Sequence, residues 1–141
     1  MATNPSFAEI EETFELLDDW EDRYRYVIDL GKDLPGLPEA QRSALTKVDG
    51  CASQVWIAPE IREEQGAAHL YFEGDSDAHI VRGLIAVLRA LLSGRPASEI
   101  AASDPLAEFR KLGLDSHLSQ QRSNGLRAMI ERLKSLAAQA A

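Results

Sequence analysis

Cys51 is the only cysteine in the 141-residue chain. It stands in Val48-Asp49-Gly50-Cys51-Ala52-Ser53-Gln54-Val55-Trp56, just ahead of a strand-like run. The thiolate is the nucleophilic form of cysteine, so a single thiol on a loop offers displacement chemistry. Gly50 permits backbone turns closed to other residues and leaves one side of the Cys51 sulfur open to an incoming atom. Asp49 works against reactivity, because a neighbouring carboxylate disfavours the thiolate, and no Lys, Arg or His follows within the motif to offset it. The competing reading is a buried cysteine that serves as a small hydrophobe.

The other chemistry-bearing residues are scattered. His69 falls in a strand-like run, His79 at the start of a helical one and His117 in a loop. A Cys–His hydrolase needs both side chains in reach and an oxyanion site, so a small thiol hydrolase ranks behind other readings, with His79 the nearest candidate partner. Asp75 and Asp77 could act as a carboxylate pair; their position before a helix reads first as N-capping. Capping and surface charge likewise account for Arg122 and Asn124. One cysteine and separated histidines do not supply the three or four ligands of a zinc or cluster site, so neither metal nor cofactor is expected.

Composition narrows the setting. With 45% hydrophobic and 27% charged residues, the sequence is that of an ordinary globular protein. A chain of this length can bury over two thirds of its unfolded surface without disulfides. The lone cysteine suggests a reducing compartment. The first residues lack the basic segment and apolar run of an export signal, and no apolar stretch is long enough to span a bilayer, so a cytoplasmic protein is expected. The formal net charge of −8 argues against nucleic acid and is compatible with a locally basic protein partner.

The elements that must position the thiol follow from periodicity. Ser6-Phe7-Ala8-Glu9 is a capping box ahead of Phe7, Ile10, Phe14 and Leu17, one face of a helix. Asp18 and Asp19 offer the next N-cap before Trp20, Tyr24, Val27 and Ile28, with Gly31 as the expected stop. Pro38 suits the start of a brief helix reaching Ser43 or Ala44. Gln54 to Arg62 alternates, with Val55, Ile57 and Ile61 on one side and Pro59 placing the strand at an edge or a bulge. After a turn at Gln65-Gly66, His69 to Glu73 predicts the second strand of a hairpin, and Ala44 to Val48 is the candidate third strand. Gly74-Asp75-Ser76-Asp77 offers N-caps for a largely apolar helix from Ala78 to about Leu92, the expected centre of the fold, in which Gly83 marks a close approach of the strands or the cysteine loop. Gly94-Arg95-Pro96 ends that helix, Ser98 to Ala101 makes one turn, and Asp104-Pro105 caps another helix through Leu112. Ser119 opens the last helix, whose Ala-rich end from Ala137 is expected to fray. Residues 1–141 read as one α+β domain, folded as a monomer, with a small antiparallel sheet packed against several helices.

Three separated stretches carry a family resemblance. The cysteine motif resembles that of the SufE family, sulfur acceptors that work with cysteine desulfurases. Gly74-Asp75-Ser76-Asp77-Ala78 with Ile80-Val81-Arg82-Gly83-Leu84-Ile85-Ala86 resembles a second segment, with Arg82 where the family commonly has Lys. His117-Leu118-Ser119 with Arg122, Asn124, Gly125, Leu126 and Met129 resembles a third. The resemblance implies a curved sheet related to the iron–sulfur scaffold (IscU-like) fold. It also implies that Cys51 takes persulfide sulfur from a PLP-dependent, SufS-like cysteine desulfurase, stimulates that enzyme, and delivers sulfur to a SufBCD-like scaffold for iron–sulfur cluster assembly. Gly50, Ser53, Gln54, Asp75, Asp77, Arg122 and Asn124 are then implied to support the loop and pocket. Two rivals stay open: a regulatory adaptor that stimulates a desulfurase without carrying sulfur, and a sister-branch carrier serving a different acceptor.

Overall fold

The structure, a computed structural model, describes residues 5–141. The Ser6 hydroxyl accepts from the Glu9 N–H and caps α1 (Phe7–Leu16), which buries Ile10 and Phe14. Asp19 caps α2 (Trp20–Lys32) through the Asp22 N–H. The brief helix expected after Pro38 shrinks to a 3₁₀ turn, Glu39–Gln41. Arg42 leaves helical geometry there, its guanidinium donating back to the Leu37 carbonyl and across to Asp75.

Strands β1 (Val55–Glu64) and β2 (Ala67–Ser76) form an antiparallel hairpin in register from Val55 opposite Ser76 to Glu64 opposite Ala67. Gln65 and Gly66, at φ 54° and 80°, close it as a tight two-residue turn with the twist that hairpins favour. Val55 and Ile57 face the core, but Ile61, on the same side of the strand, is 45% exposed because the far half of β1 runs out beyond the helices. β1 is an outer strand of the sheet, where Pro59 costs no interior pairing.

The third strand is not where the sequence suggested. Arg95–Pro96 forms β3 beside His69 and Leu70, whereas the 44–48 stretch contributes only a single bridge, Lys47 to Trp56. Two residues are too few to display an alternating pattern, so β3 left no periodic signal. β2 also runs further than expected. Gly74, Asp75 and Ser76 are strand, and α3 (His79–Leu92) starts from Ala78 with no side-chain cap.

α3 is the buried centre, with Ile80, Val81, Leu84, Ile85, Val87, Leu88, Leu91 and Leu92 all in the core. Its Gly83 does admit another backbone, but that of α2: a Cβ at Gly83 would lie 2.2 Å from the Val27 carbonyl oxygen. Gly31 sits opposite, where a Cβ would come within 2.6 Å of the Gly83 nitrogen. Gly31 therefore does not end α2, which continues to Lys32; it is the matching half of a glycine crossing.

The chain continues through α4 (Ala97–Ala102), α5 (Pro105–Leu112, capped by Asp104), α6 (Leu114–His117) and α7 (Gln120–Ala140, capped by Ser119). α7 packs along α4 and turns Leu126, Met129, Ile130 and Leu133 inward. Its Ala-rich end is held rather than frayed: Ala137 is fully buried and the helix runs on to Ala140. Nearly all the buried apolar side chains join in one cluster, Leu37 standing outside it, giving an α+β architecture with a three-stranded antiparallel sheet.

Candidate functional site

Cys51 lies on a loop closed at its base by the Val48 N–H donating to the Val55 carbonyl at 2.8 Å, with both valine side chains buried beneath it. At the tip, Gly50 adopts φ 89°, a left-handed conformation that glycine takes without steric cost. This turn lays Cys51 against α7. Its Sγ lies 3.7 Å from the Gly125 carbonyl oxygen, to which the thiol donates. Gly125 leaves the helix surface bare there: a Cβ at that position would stand 3.5 Å from the sulfur.

Beside the thiol opens a cavity of about 290 Å³ between the cysteine loop, α3 and the start of α7. Val55, Val81, Leu84, Leu126 and Met129 make its apolar wall, and Ser53, Ser119, Gln121 and Arg122 its polar rim. Burial pushes the Cys51 thiol above its ordinary pKa, and the Asp49 carboxylate adds to that shift. The thiol sits half-buried at the lip of this recess.

The loop is tied to the β2–α3 junction. The Gln54 N–H donates to Asp77 Oδ1 at 3.0 Å, and Ser76 Oγ donates to the Gln54 carbonyl at 2.7 Å. Asp77 therefore serves the loop, and neither Asp75 nor Asp77 caps α3 as their place in the sequence suggested. Asp75, 1% exposed, accepts from the Leu37 N–H at 3.0 Å, the Ser76 N–H at 2.8 Å and Arg42 at 2.8 Å, with Arg82 at 3.3 Å. Burial raises its pKa, but those backbone donors together with Arg82 and Arg42 outweigh it and hold the carboxyl below the usual range. Arg82 thus faces Asp75 through Nη1 and donates to the Leu34 carbonyl through Nη2.

Of the residues singled out from sequence, Gly50, Ser53 and Arg122 gather around the thiol or its cavity, and Gln54 and Asp77 brace the loop. Asp75 lies deeper, among β2, α3 and the 37–42 connector. Asn124 is exposed and accepts from Gln120. Sequence reasoning missed Gln121 on the rim and Arg42, which also lies over the Trp56 ring with its guanidinium carbon 5.5 Å from the centroid. No local pattern marks either residue. The histidines go elsewhere: His69 Nδ1 meets the Gly94 carbonyl, His117 stacks on Trp20, and His79 lines a separate depression with Lys32 and Arg82. None lines the Cys51 cavity, so the base of a Cys–His hydrolase is not in place there. Among the described residues no three His, Cys, Asp or Glu side chains gather as they would around a metal ion, and no helix is long and apolar enough to cross a membrane.

Fold and site together define a small α+β protein that keeps a single thiol at the lip of a recess with an apolar wall and a polar rim. The family model for SufE, described as an Fe–S metabolism associated domain, matches residues 8–137. The chain belongs to the SufE family. It is 55% identical over 130 residues to a SufE-like protein of Rhizobium meliloti (strain 1021), covering 92% of this chain and 93% of that protein. It is 41% identical over 140 residues to the sulfur acceptor protein CsdE of Escherichia coli (strain K12), again covering 92% of this chain and 93% of the relative. The solution structure of a hypothetical protein from Thermus thermophilus shares the fold, with TM-score 0.71 at 23% identity over 99% of this chain and 98% of that one.

Proposed function

We propose that Cys51 accepts sulfane sulfur from the persulfide of a PLP-dependent cysteine desulfurase and passes it on for iron–sulfur cluster assembly, stimulating the desulfurase as it clears the product. The observation that carries this reading is the single thiol placed over Gly125 at the mouth of a recess walled by apolar side chains. The 41% identity to a sulfur acceptor protein supports the same reading. The transfer is a displacement at sulfur: the Cys51 thiolate attacks the outer sulfur of the donor persulfide. A new S–S bond forms on Cys51, the donor S–S bond breaks, and the donor cysteine leaves as a thiolate that takes up a proton. The sulfane sulfur keeps its oxidation level, so no oxidant is required.

Burial and Asp49 both push the Cys51 pKa up, which lowers the thiolate fraction and makes the resting thiol a weaker nucleophile. Docking of the desulfurase is expected to lift the loop, expose Cys51 and supply the environment that deprotonates it. A SufBCD-like scaffold is the downstream acceptor in this reading, and a reducing cytoplasm is the compartment in which the thiol stays free.

The test is intact-mass measurement after incubation with a cysteine desulfurase, PLP and cysteine, comparing the natural chain with Cys51→Ser. One reductant-labile sulfur on the natural chain and none on the variant is the expected result. Stimulation of the desulfurase that persists in Cys51→Ser, with no sulfur on either chain, would replace the carrier with a regulatory adaptor. Running a SufS-like desulfurase beside one of the sister branch separates the two branches.

A further inference from the structure

Between Leu37 and Val48 the chain buries no side chain, and Leu45 is 86% exposed. The stretch from Pro38 to Lys47 therefore has no apolar anchor of its own between the buried Leu37 and Val48, and is held through backbone and polar groups; at its end the Ile57 N–H donates to the Thr46 carbonyl and the Val48 N–H to the Val55 carbonyl, each at 2.8 Å. Side chains add two further holds: the Arg42–Asp75 pair near its start, and from α7 Arg132, which donates from Nη2 to the Leu45 carbonyl at 2.7 Å and, more weakly, from Nη1 to the Lys47 carbonyl at 3.4 Å.

Arg132 continues a stripe already in use. Gly125 accepts from the Cys51 thiol, and the Ala128 methyl would lie 3.4 Å from a Cβ on Gly50, so residues 125, 128 and 132 meet the loop in turn at helical spacing. A guanidinium fork suits two carbonyls two residues apart, because its donors diverge in one plane. We propose that Arg132 is a positioning residue that seats the Cys51 loop on α7, setting how readily the thiol leaves its recess. The role deepens the reading of Cys51 as a sulfur acceptor and rests on it for its purpose. A carrier must shield its thiol between encounters yet release it to its donor, and a polar tie at the rim can be exchanged for partner contacts more easily than a buried anchor.

The experiment measures the rate of Cys51 alkylation by iodoacetamide across pH in the full chain, for the natural protein, Arg132→Ala, Arg132→Lys and the control Arg127→Ala. Arg127 lies on the same helix and faces Asp115 rather than the loop. Arg132→Ala is expected to raise the rate about fivefold, the effect of losing an exposed hydrogen bond from a local opening equilibrium. It should also move the half-maximum of the pH profile down toward that of free cysteine, as the thiol is less buried. Arg132→Lys should fall between, having charge without the fork, and Arg127→Ala should match the natural chain. An unchanged rate and pH profile in folded Arg132→Ala overturns the proposal, as does equal acceleration in Arg127→Ala with a lowered melting temperature. Iodoacetamide needs no desulfurase, so faster alkylation in Arg132→Ala without sulfur loading of the natural chain would leave the positioning role standing while removing the acceptor reading.

Discussion

The Cys51 thiol is pushed above its ordinary pKa for two reasons of different reach. Burial acts through the lost hydration of the thiolate, and Asp49 acts through its charge across an exposed, well-screened path. Alkylation of the free protein should therefore rise with pH and reach half-maximum above the free-cysteine value of about 8.5. Asp49→Asn removes only the charge and is expected to speed alkylation at pH 7.5 by about twofold, since the larger contribution of burial remains. A rate unchanged or slowed in that variant would show that the carboxylate does not bear on the thiol.

At the scale of elements, the cavity depends on how closely α3 lies against α2, because Val81 and Leu84 wall the cavity from the same helix whose Gly83 meets Val27. Gly83→Ala forces a methyl into the Val27 carbonyl, a backbone contact that no rotamer change relieves. Its expected cost is about 3 kcal/mol in urea unfolding. Gly66→Ala tests a different role of glycine: nothing lies within 4 Å of the added methyl, but φ is 80°. That variant should lose about 1 kcal/mol through backbone strain alone and leave Cys51 alkylation unchanged. Equal losses in the two variants would contradict the distinction between packing and conformation.

At the scale of the molecule, Asp75 joins pieces that lie far apart in sequence, from the 37–42 connector through β2 to α3. Its folded pKa is depressed, so its contribution to stability is fully present above the unfolded value of about 4 and is lost as pH falls through the lower folded value. Asp75→Asn keeps the shape but loses the charge that answers Arg42 and Arg82. It should destabilise the protein by about 2 kcal/mol at pH 7, less than a fully buried pair because Arg42 is partly exposed, with the difference shrinking below pH 4. Urea unfolding of both proteins at pH 7 and pH 3 checks this, and a difference that persists undiminished at pH 3 would assign the effect to shape instead of charge.

Local signals sufficed for much of this protein. Capping oxygens at Ser6, Asp19, Asp104 and Ser119, the helical periodicity of α3 and α7, the Gln65-Gly66 turn and the cysteine motif each act over a few residues, so the sequence alone determined those elements and singled out Cys51. What only the tertiary structure decided depends on partners remote in the chain. Ser76 and Asp77 resemble helix caps in sequence, yet they brace Gln54 because β2 runs on beside β1. Gly31 resembles a helix stop, yet it faces Gly83 across a helix crossing. The two-residue β3 exists only where β2 offers it an edge, and Arg132 reaches the loop 85 and 87 positions earlier only once α7 has docked. Caps and periods are properties of neighbouring residues, whereas close backbone approaches and long polar ties arise when packing brings distant segments together.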